Sequence, residues 1–167
     1  MKKEKKPFNV VDDLIKPIIA AVVLAFVVTN FIFRFVVVDG HSMEPTLKDR
    51  AFGISWILPL FFSDPDRFDI VVVKDHGVHL VKRVIGLPGE HVEYSNGVLT
   101  IDDQVVEEDF ISDATKLETG DIDIMLGTDQ YFVMGDNRGH STDSRYYGPF
   151  LRSSIQGDGI WILWGNE

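Results

Sequence analysis

Apolar residues dominate one long segment near the start of the chain. Residues 17–33, PIIAAVVLAFVVTNFIF, contain no charged side chain, and at the helical rise of about 1.5 Å per residue they cover roughly 25 Å. That length approaches the hydrocarbon core of a bilayer, and apolar residues beyond each end extend the segment. The pattern predicts one transmembrane helix, and we place the anchor at residues 17–38.

A cleaved secretory signal is the competing interpretation of this segment, because basic residues precede it. Such signals have a shorter apolar core and end in small residues of the A-x-A type, whereas this segment leads into FRFVVVDGHS. We therefore expect an uncleaved anchor. Lysines at positions 2, 3, 5, 6 and 16 precede it, and basic flanks stay on the cytoplasmic side. Residues 1–16 are accordingly expected to be a cytoplasmic tail, and residues 39–167 an extracytoplasmic domain at the plasma membrane.

The chain beyond the anchor has the pattern of a mainly β protein. Short blocks of β-branched and aromatic residues, such as FDIVVVK and QYFVMGD, take the place of helical spacing. Leu87-Pro88-Gly89 suits a type II turn, and Asn96-Gly97 suits a tight hairpin. Residues 102–130 are acidic and lack a sustained apolar pattern. We expect them to form a small inserted lobe beside the main β-sheet domain.

The apolar stretch ISWILPLFF, at residues 54–62, leaves two interpretations open. Its internal proline argues against a central strand. The stretch forms either an edge of the core or an exposed aromatic loop at the membrane interface, where Trp and Phe side chains are stable.

Charge and composition exclude several classes of function. Residues 35–167 hold 10 basic and 23 acidic side chains, a net charge of −13, which argues against nucleic acid as a partner. The chain has no cysteine, so disulfides and thiol chemistry are excluded. Its five histidines form no H-x-x-x-H pair, and we expect neither a metal site nor a cofactor. A Ser-His-Asp triad stays open, because its members need not be close in sequence.

A lysine can also activate a serine, provided that the lysine is neutral. Its reference pKa is about 10.4, so burial among apolar residues has to lower that value. In HLVKRVIGL, strand alternation places Lys82 on one face with Leu80 and Val84. Lys74 lies beside Asp75 at a predicted turn and is expected to be solvated. Lys82 is the better candidate, although a lysine in an apolar strand, taken alone, is more often a surface residue.

Four segments occur in the order typical of one enzyme family. They are GHSMEPTL (40–47), RFDIVVVK (67–74), VKRVIGLPGE (81–90) and GDNRGHSTDSRYYG (135–148). Together they resemble the sequence boxes of type I signal peptidases, Ser-Lys membrane proteases that remove signal peptides from exported proteins. The resemblance covers nearly all of the chain after the anchor. It implies a signal-peptidase-like β-sheet catalytic domain, no cofactor, and as partners membrane lipid and preproteins with small residues before the cut.

The resemblance also implies a role for each matching residue. Ser42 is expected to be the nucleophile and Lys82 the general base that activates it. Ser141 matches a serine whose hydroxyl orients the lysine amine. Asp143 and Arg145 match a structural pair that holds the site.

Three positions next to these boxes qualify the resemblance. Arg83 follows the lysine as in the family and is expected to support the site. Some members have a hydroxyl two positions before the nucleophile as an oxyanion donor, where this chain has Gly40, as in the Gram-positive type. We therefore expect the backbone N–H of Ser42 to supply one oxyanion contact, and the second donor stays open. Gly139 and His140 stand where many members have Asp and Asn, and we assign His140 no role.

Two other functions stay open at this point. A Ser-Lys relative that cleaves itself, in the manner of the SOS-response repressors, would need a DNA-binding segment in place of the anchor, and none is visible. A membrane-tethered β module could bind export or envelope partners without catalysis. The protease interpretation predicts a preference for neutral to alkaline pH, because its lysine must be neutral.

Overall fold

A single long helix opens the part of the chain that the structure describes. The computed structural model describes residues 9–166, so the lysines at positions 2–6 lie outside the described residues. The helix, α1, covers Val11–Ile32 and is long and apolar enough, by length and composition, to cross a membrane. None of it is buried against the rest of the protein. A membrane anchor requires such exposure, because lipid takes the place of protein neighbours.

The anchor predicted at residues 17–38 differs from α1 at both ends. The helix begins earlier, at Val11, and it stops at Ile32. Residues Phe33–Val37 form a strand instead, because they pair with Phe52–Trp56 of the following segment. An apolar run alone does not distinguish the end of a helix from an adjoining β-branched strand.

Within residues 9–166, eleven strands in two antiparallel sheets follow the helix. They are β1 (Phe33–Val37), β2 (Phe52–Trp56), β3 (Ile70–Asp75), β4 (Val78–Gly86), β5 (His91–Ser95), β6 (Val98–Ile101), β7 (Gln104–Val106), β8 (Ile122–Met125), β9 (Gln130–Met134), β10 (Phe150–Leu151) and β11 (Ile155–Trp164). The larger sheet has the order β1-β2-β11-β3-β4-β9-β10, and the smaller sheet the order β7-β6-β5-β8. Two short helices, α2 (Asp113–Leu117) and α3 (Ser144–Tyr147), lie in the connections. The prediction of a mainly β fold with one N-terminal helix is confirmed.

The centre of the larger sheet is the β3–β4 hairpin. The consecutive residues Val71–Val73 are all buried, as expected for a strand that is covered on both faces. In β4, Lys82 lies opposite Val71 and Arg83 lies opposite Ile70. Strand β9 pairs with β4 only from Arg83 onward. Within residues 9–166, one edge of β4 is therefore unpaired before Arg83.

The smaller sheet begins at His91, before the lobe predicted at residues 102–130. Strands β5 and β6 are joined by the predicted hairpin, in which Asn96 and Gly97 both have positive φ, as a tight turn requires. That local prediction is confirmed. Alternation along a strand indicates which face is buried but not which sheet the strand joins. For this reason the predicted lobe begins at residue 102, whereas the smaller sheet begins at His91. The smaller sheet packs on Ile85 and Met134 of the larger one.

The ISWILPLFF stretch divides between its two interpretations. Its first residues belong to β2, at the side of the larger sheet, and Trp56 packs edge-on against Phe33 with ring centroids 6.0 Å apart. A turn of 3-10 helix at Leu58–Phe61 follows. Phe61 and Phe62 are then 59% and 84% exposed. The stretch thus begins as a strand paired on both sides, β2, and continues into an exposed aromatic loop.

An aromatic surface covers the outer side of β1, β2 and β11. Directly opposed residues on neighbouring strands share a face of the sheet. The rows on this face are Phe33 with Trp56, Phe35 with Ile54 and Trp161, and Val37 with Phe52 and Trp164. We call these eight residues the aromatic face. Phe35, Trp161 and Trp164 are exposed.

Candidate active site

Ser42 and Lys82 come together although they lie 40 positions apart in the chain. Ser42 belongs to the loop between β1 and β2, and Lys82 belongs to β4. The Nζ atom of Lys82 is 2.7 Å from the Oγ atom of Ser42. This is hydrogen-bonding distance. A hydroxyl that touches an amine can pass its proton to that amine when the amine is uncharged.

The surroundings of Lys82 favour its uncharged form. The residue is 3% exposed, and Val71, opposite it on β3, is fully buried. Burial is the largest influence on the Lys82 pKa and lowers it. The carboxylates of Asp143 and Asp136 act in the opposite direction and Arg145 adds to the lowering, and the pKa stays below its ordinary value.

The loop before and after Ser42 is fixed by local contacts. Gly40 has a φ of +97°, in the left-handed region that favours glycine. Its N–H donates to the Asp49 carboxylate at 2.8 Å. Immediately after the serine, Met43 is fully buried in an apolar cluster that includes Val38. Ser42 is therefore held between the hydrogen-bonded turn at Gly40 and the buried side chain of Met43.

Residues 135–141 hold the serine from the opposite side. The Asn137 N–H donates to the Ser42 carbonyl at 3.0 Å, and the Asn137 side chain donates to the His41 carbonyl at 3.0 Å. A Cβ atom on Gly135 would lie 2.4 Å from the Ser42 carbonyl oxygen, so the close approach requires glycine. The sequence reasoning missed Gly135 and Asn137. Both lie in GDNRGHSTDSRYYG, but a polar turn sequence does not reveal which groups it binds.

Asp143 and Arg145 form the predicted pair beneath this loop. The Arg145 guanidinium donates to both Asp143 oxygens, at 2.8 and 2.9 Å, and it also donates to the Ser141 carbonyl at 3.2 Å. The Gly135 N–H donates to Asp143 at 3.0 Å. Burial alone would raise the pKa of Asp143, but the hydrogen bonds from Arg145 and Gly135 outweigh it and hold that pKa below its ordinary value.

Arg83 and Asp136 form a second buried ion pair. Two guanidinium nitrogens of Arg83 donate to the two Asp136 oxygens, at 2.8 and 2.6 Å. Thr46, from the loop that carries Ser42, donates to Asp136 at 2.5 Å. The pair thus ties β4 to the segment after β9 and to the serine loop. Asp136 also carried no assignment from the sequence.

The Ser141 hydroxyl does not reach the lysine. Ser141 is 7% exposed, and its Oγ atom has no hydrogen-bond partner among residues 9–166. Its predicted role in orienting the Lys82 amine therefore stays a prediction. The Oγ lies close to Gly135, where an added Cβ atom would be 2.3 Å from it.

The histidines near the serine face other partners. His41 lies 2.9 Å from Glu44, and His140 lies 3.3 Å from Asn137. In the described part of the chain, no histidine forms a hydrogen bond with the Ser42 hydroxyl. The geometry thus favours a lysine over a histidine as the partner of this serine.

One group of side chains on the smaller sheet has the spacing of metal ligands. Atoms of His91, Glu93 and Asp123 lie within 4.8 Å of one another. The His91 ring, however, points Nε2 at Asp123, at 2.8 Å, and Nδ1 at Glu93, at 3.9 Å. The hydrogen bond to Asp123 is the largest influence on the His91 pKa and raises it. Contacts of the His91 ring with these two carboxylates account for the close spacing of the three side chains.

An open cleft of about 510 Å³ passes over Ser42 and Lys82. One wall is the segment 34–38, which includes most of β1, and the other wall is residues 79–82 of β4. Strand β1 pairs only with β2, and β4 before Arg83 pairs only with β3 among the described residues. Two unpaired strand edges therefore border the cleft that contains the serine and the lysine.

Comparison with known proteins assigns the chain to a family. The family model described as "Signal peptidase, peptidase S26" matches residues 11–164. The chain belongs to the signal peptidase family. It is 39% identical to signal peptidase I of Bacillus amyloliquefaciens, with 98% of this chain and 95% of the relative covered. It is 40% identical to signal peptidase I S of Bacillus subtilis (strain 168), with 89% and 86% covered.

A solved structure of the signal peptidase family supports the same assignment. The signal peptidase I from Enterococcus faecalis V583 is 34% identical and superimposes with a TM-score of 0.54, covering 57% of this chain and 97% of that one. The predicted family resemblance is confirmed. The chain is a peptidase, and membership supports removal of signal peptides as its activity. Its N-terminal apolar helix fits a membrane-anchored protein.

Proposed function

We propose that the protein is a membrane-anchored serine endopeptidase that removes signal peptides with Ser42 as nucleophile and Lys82 as general base. The observation that carries the proposal is the 2.7 Å contact between the Ser42 Oγ and the Nζ of a lysine that is 3% exposed. An exposed lysine would be charged and could not accept a proton, whereas burial keeps this amine available.

The reaction proceeds through an acyl-enzyme. The Ser42 Oγ attacks the scissile carbonyl carbon while its proton passes to Lys82 Nζ. The tetrahedral intermediate collapses with cleavage of the C–N bond, and the lysine ammonium protonates the departing amine. Water then attacks the ester and gives a proton to the lysine. When the second intermediate collapses, the bond between the acyl carbon and Ser42 Oγ breaks and the lysine ammonium gives its proton to Oγ, which restores the serine hydroxyl and the neutral amine and releases the signal peptide with a free carboxyl group.

The backbone N–H of Ser42 stabilises the oxyanion. Gly40, two positions before the nucleophile, has no side-chain hydroxyl that could donate to the oxyanion. A main-chain N–H therefore serves as the donor. The Ser42 N–H has no acceptor among the described residues and is free to bind the oxygen that becomes negative. Asp143, Arg145 and Arg83 act by holding the surrounding loops.

The preprotein binds in extended form between the two unpaired edges. A strand placed in the cleft can hydrogen-bond to the main chain of residues 34–38 and of residues 79–82, which adds it to the sheet. Main-chain hydrogen bonds do not distinguish one substrate side chain from another, so the residues that line the cleft must select the substrate. Val36, Val72, Leu80 and Val81 line the cleft, and such apolar walls suit small residues of the alanine kind before the cut.

The apolar helix and the aromatic face support a position of this cleft at the outer surface of the plasma membrane. The basic N-terminal flank stays in the cytoplasm, and the peptidase domain lies outside. Ser42 is ten residues beyond Ile32, which limits it to roughly 33 Å from the helix end. The aromatic face contacts lipid at headgroup depth, where Trp and Phe are stable. Cleavage sites of signal peptides emerge from the bilayer at this level.

A preprotein cleavage assay tests the proposed chemistry. Ser42→Ala and Lys82→Ala are each expected to abolish processing by the full-length protein in detergent or vesicles, while the fold persists. Lys74→Ala is the matched control, because Lys74 is an exposed lysine on the neighbouring strand, and it should process normally. Processing that survives in either active-site variant would refute the Ser42–Lys82 pair and would show that other residues carry out the cleavage.

Tryptophan fluorescence tests the lipid contact separately. All three tryptophans of the chain, Trp56, Trp161 and Trp164, lie on the aromatic face. In vesicles that contain brominated lipids, their emission is expected to be quenched relative to vesicles without bromine. Unquenched emission from protein that remains bound to the vesicles would contradict the contact.

A further inference from the structure

The smaller sheet contributes a buried carboxylate that lies outside the four sequence boxes. Glu108 follows β7, and its side chain is 1% exposed. It forms an ion pair with Arg138, whose side chain is 0% exposed and belongs to the 135–141 loop. A buried ion pair requires good geometry and further hydrogen bonds, since both charges have lost their water.

The Arg138 guanidinium has those further hydrogen bonds. Both of its Nη atoms donate to the Glu108 carboxylate. Nη1 also donates to Thr119 at 2.9 Å and to the Tyr94 hydroxyl at 3.2 Å, and Nε donates to the Gly135 carbonyl at 3.2 Å. The Tyr94 hydroxyl in turn donates to Glu108 at 2.7 Å. A closed network of this kind has one preferred geometry.

The network ends on the contacts that hold Ser42. Asn137 directly precedes Arg138, and it binds the Ser42 and His41 carbonyls through its main chain and its side chain. On one side of Asn137, the Arg138 guanidinium holds the Gly135 carbonyl. On the other side, the Arg138 carbonyl accepts a hydrogen bond from Arg145 at 2.8 Å. Asn137 therefore has little freedom to move while Arg138 stays paired.

We propose that Glu108 is a positioning residue for the peptidase reaction, because through Arg138 and Asn137 it sets the position of Ser42. The proposal rests on the proposed function, since it takes Ser42 as the nucleophile. It gives the smaller sheet a part in catalysis without any contact with substrate. Loss of the Glu108 charge leaves Arg138 buried and unpaired, and the loop must shift to bring it water or another acceptor.

Glu108→Gln tests the proposal with little change in size. Its matched control is Glu107→Gln, at a neighbouring glutamate whose side chain is 75% exposed. We expect kcat for preprotein cleavage to fall about 10- to 100-fold in Glu108→Gln, since small displacements of a nucleophile have effects of that order. KM should stay within about twofold, because neither Glu108 nor Arg138 lines the cleft. The acid limb of the pH profile should also stay in place, because neither Glu108 nor Arg138 is among the groups that shift the Lys82 pKa.

A double variant separates positioning from stability. Glu108→Leu combined with Arg138→Met removes both charges, and buried pairs replaced in this way commonly retain stability. The thermal midpoint should return towards that of the wild type while kcat per folded molecule stays low. A kcat that recovers together with the midpoint overturns the proposal, and so does a normal kcat in Glu108→Gln. If Glu108→Gln does not fold, the double variant decides alone; if neither folds, the pair is purely structural and the proposal fails.

Ser42→Ala, assayed in parallel, keeps the two proposals distinguishable. Cleavage that persists in Ser42→Ala refutes the nucleophile and with it the proposed function. An inactive Ser42→Ala next to a fully active Glu108→Gln refutes only the positioning role.

Discussion

The β3–β4 hairpin has two ends that use the same residue type in opposite ways. At the turn end, Lys74 is exposed and lies opposite His79. At the inner end, Lys82 is 3% exposed, lies opposite Val71 and touches the Ser42 hydroxyl. The serine loop and residues 135–141 meet at the inner end only. The difference shows that coverage by loops, more than the strand itself, buries the Lys82 amine and lowers its pKa.

Arginine substitution should separate the two ends most sharply. A guanidinium stays charged at every accessible pH, so it cannot accept the serine proton. We expect Lys82→Arg to lower kcat/KM for preprotein cleavage at least about 10³-fold, whereas Lys74→Arg should leave it unchanged within error. A Lys82→Arg enzyme with more than a tenth of wild-type activity would contradict the neutral-lysine mechanism.

The pH dependence of cleavage should follow the inner lysine alone. Burial lowers the Lys82 pKa, so more of the amine is neutral at pH 7 than in an ordinary lysine, yet protonation still removes the base as pH falls. Below that pKa, kcat/KM should decrease about tenfold for each pH unit. Measurement between about pH 5 and 9 checks this, and the Lys74→Ala profile should coincide with that of the wild type. Full activity at about pH 5 would exclude a neutral lysine as base.

Alanine in place of glycine should distinguish the covered end from the open one. At Gly135 the new Cβ atom would lie 2.4 Å from the Ser42 carbonyl, and we expect kcat to fall about tenfold with a loss of about 1–3 kcal/mol in the free energy of unfolding. At Gly77, in the β3–β4 turn, φ is +92°, and among the described residues an added Cβ atom would meet nothing within 4 Å apart from the adjacent residues in the chain. Gly77→Ala should cost about 1–2 kcal/mol with kcat unchanged. Equal kcat values in the two variants would contradict the comparison.

Methionine at the inner position should stabilise the inactive protein. Because the Lys82 pKa is lowered in the fold, the unfolded chain binds more protons there between the folded pKa and the ordinary value. Stability therefore rises with pH across that interval, and at pH 7 the buried amine costs about 1.4 kcal/mol per unit of lowering. Lys82→Met should raise the free energy of unfolding at pH 7, and the gain should shrink at about pH 10. Lys74→Met should change it by less than about 0.5 kcal/mol. A destabilised Lys82→Met would show that the amine stabilises the fold.

Local pattern predicted the elements of the fold better than their assembly. The apolar run predicted the helix, and alternation placed Lys82 on an apolar face, where it is indeed buried. The same alternation did not show that β5 and β6 leave the larger sheet, nor that β1 starts at Phe33. Contacts between segments that are distant in the chain decide which strands pair, and the pattern of a single sequence does not reveal those contacts.

The same limit applies to the candidate site. The four sequence boxes indicated Ser42 and Lys82 as partners, and the structure places the Ser42 Oγ 2.7 Å from the Lys82 Nζ. The boxes did not indicate the parts played by Asn137 and Gly135. Both residues matter because they contact the backbone of the loop that carries Ser42. Glu108 lies in an acidic segment, where a glutamate is expected to be exposed to solvent. Only the fold shows that it is buried against Arg138.

The junction between α1 and β1 determines how high the peptidase domain stands above the bilayer. Strand β1 starts at the residue after Ile32 without a linker, and the Ile32 carbonyl accepts a hydrogen bond from the Ile57 N–H at 2.8 Å. This direct connection fixes the height of the proposed catalytic cleft relative to the proposed anchor. On the proposed function, a preprotein whose scissile bond emerges at another height has to move through the lipid before it is cut, so we expect the length of its apolar core to affect cleavage.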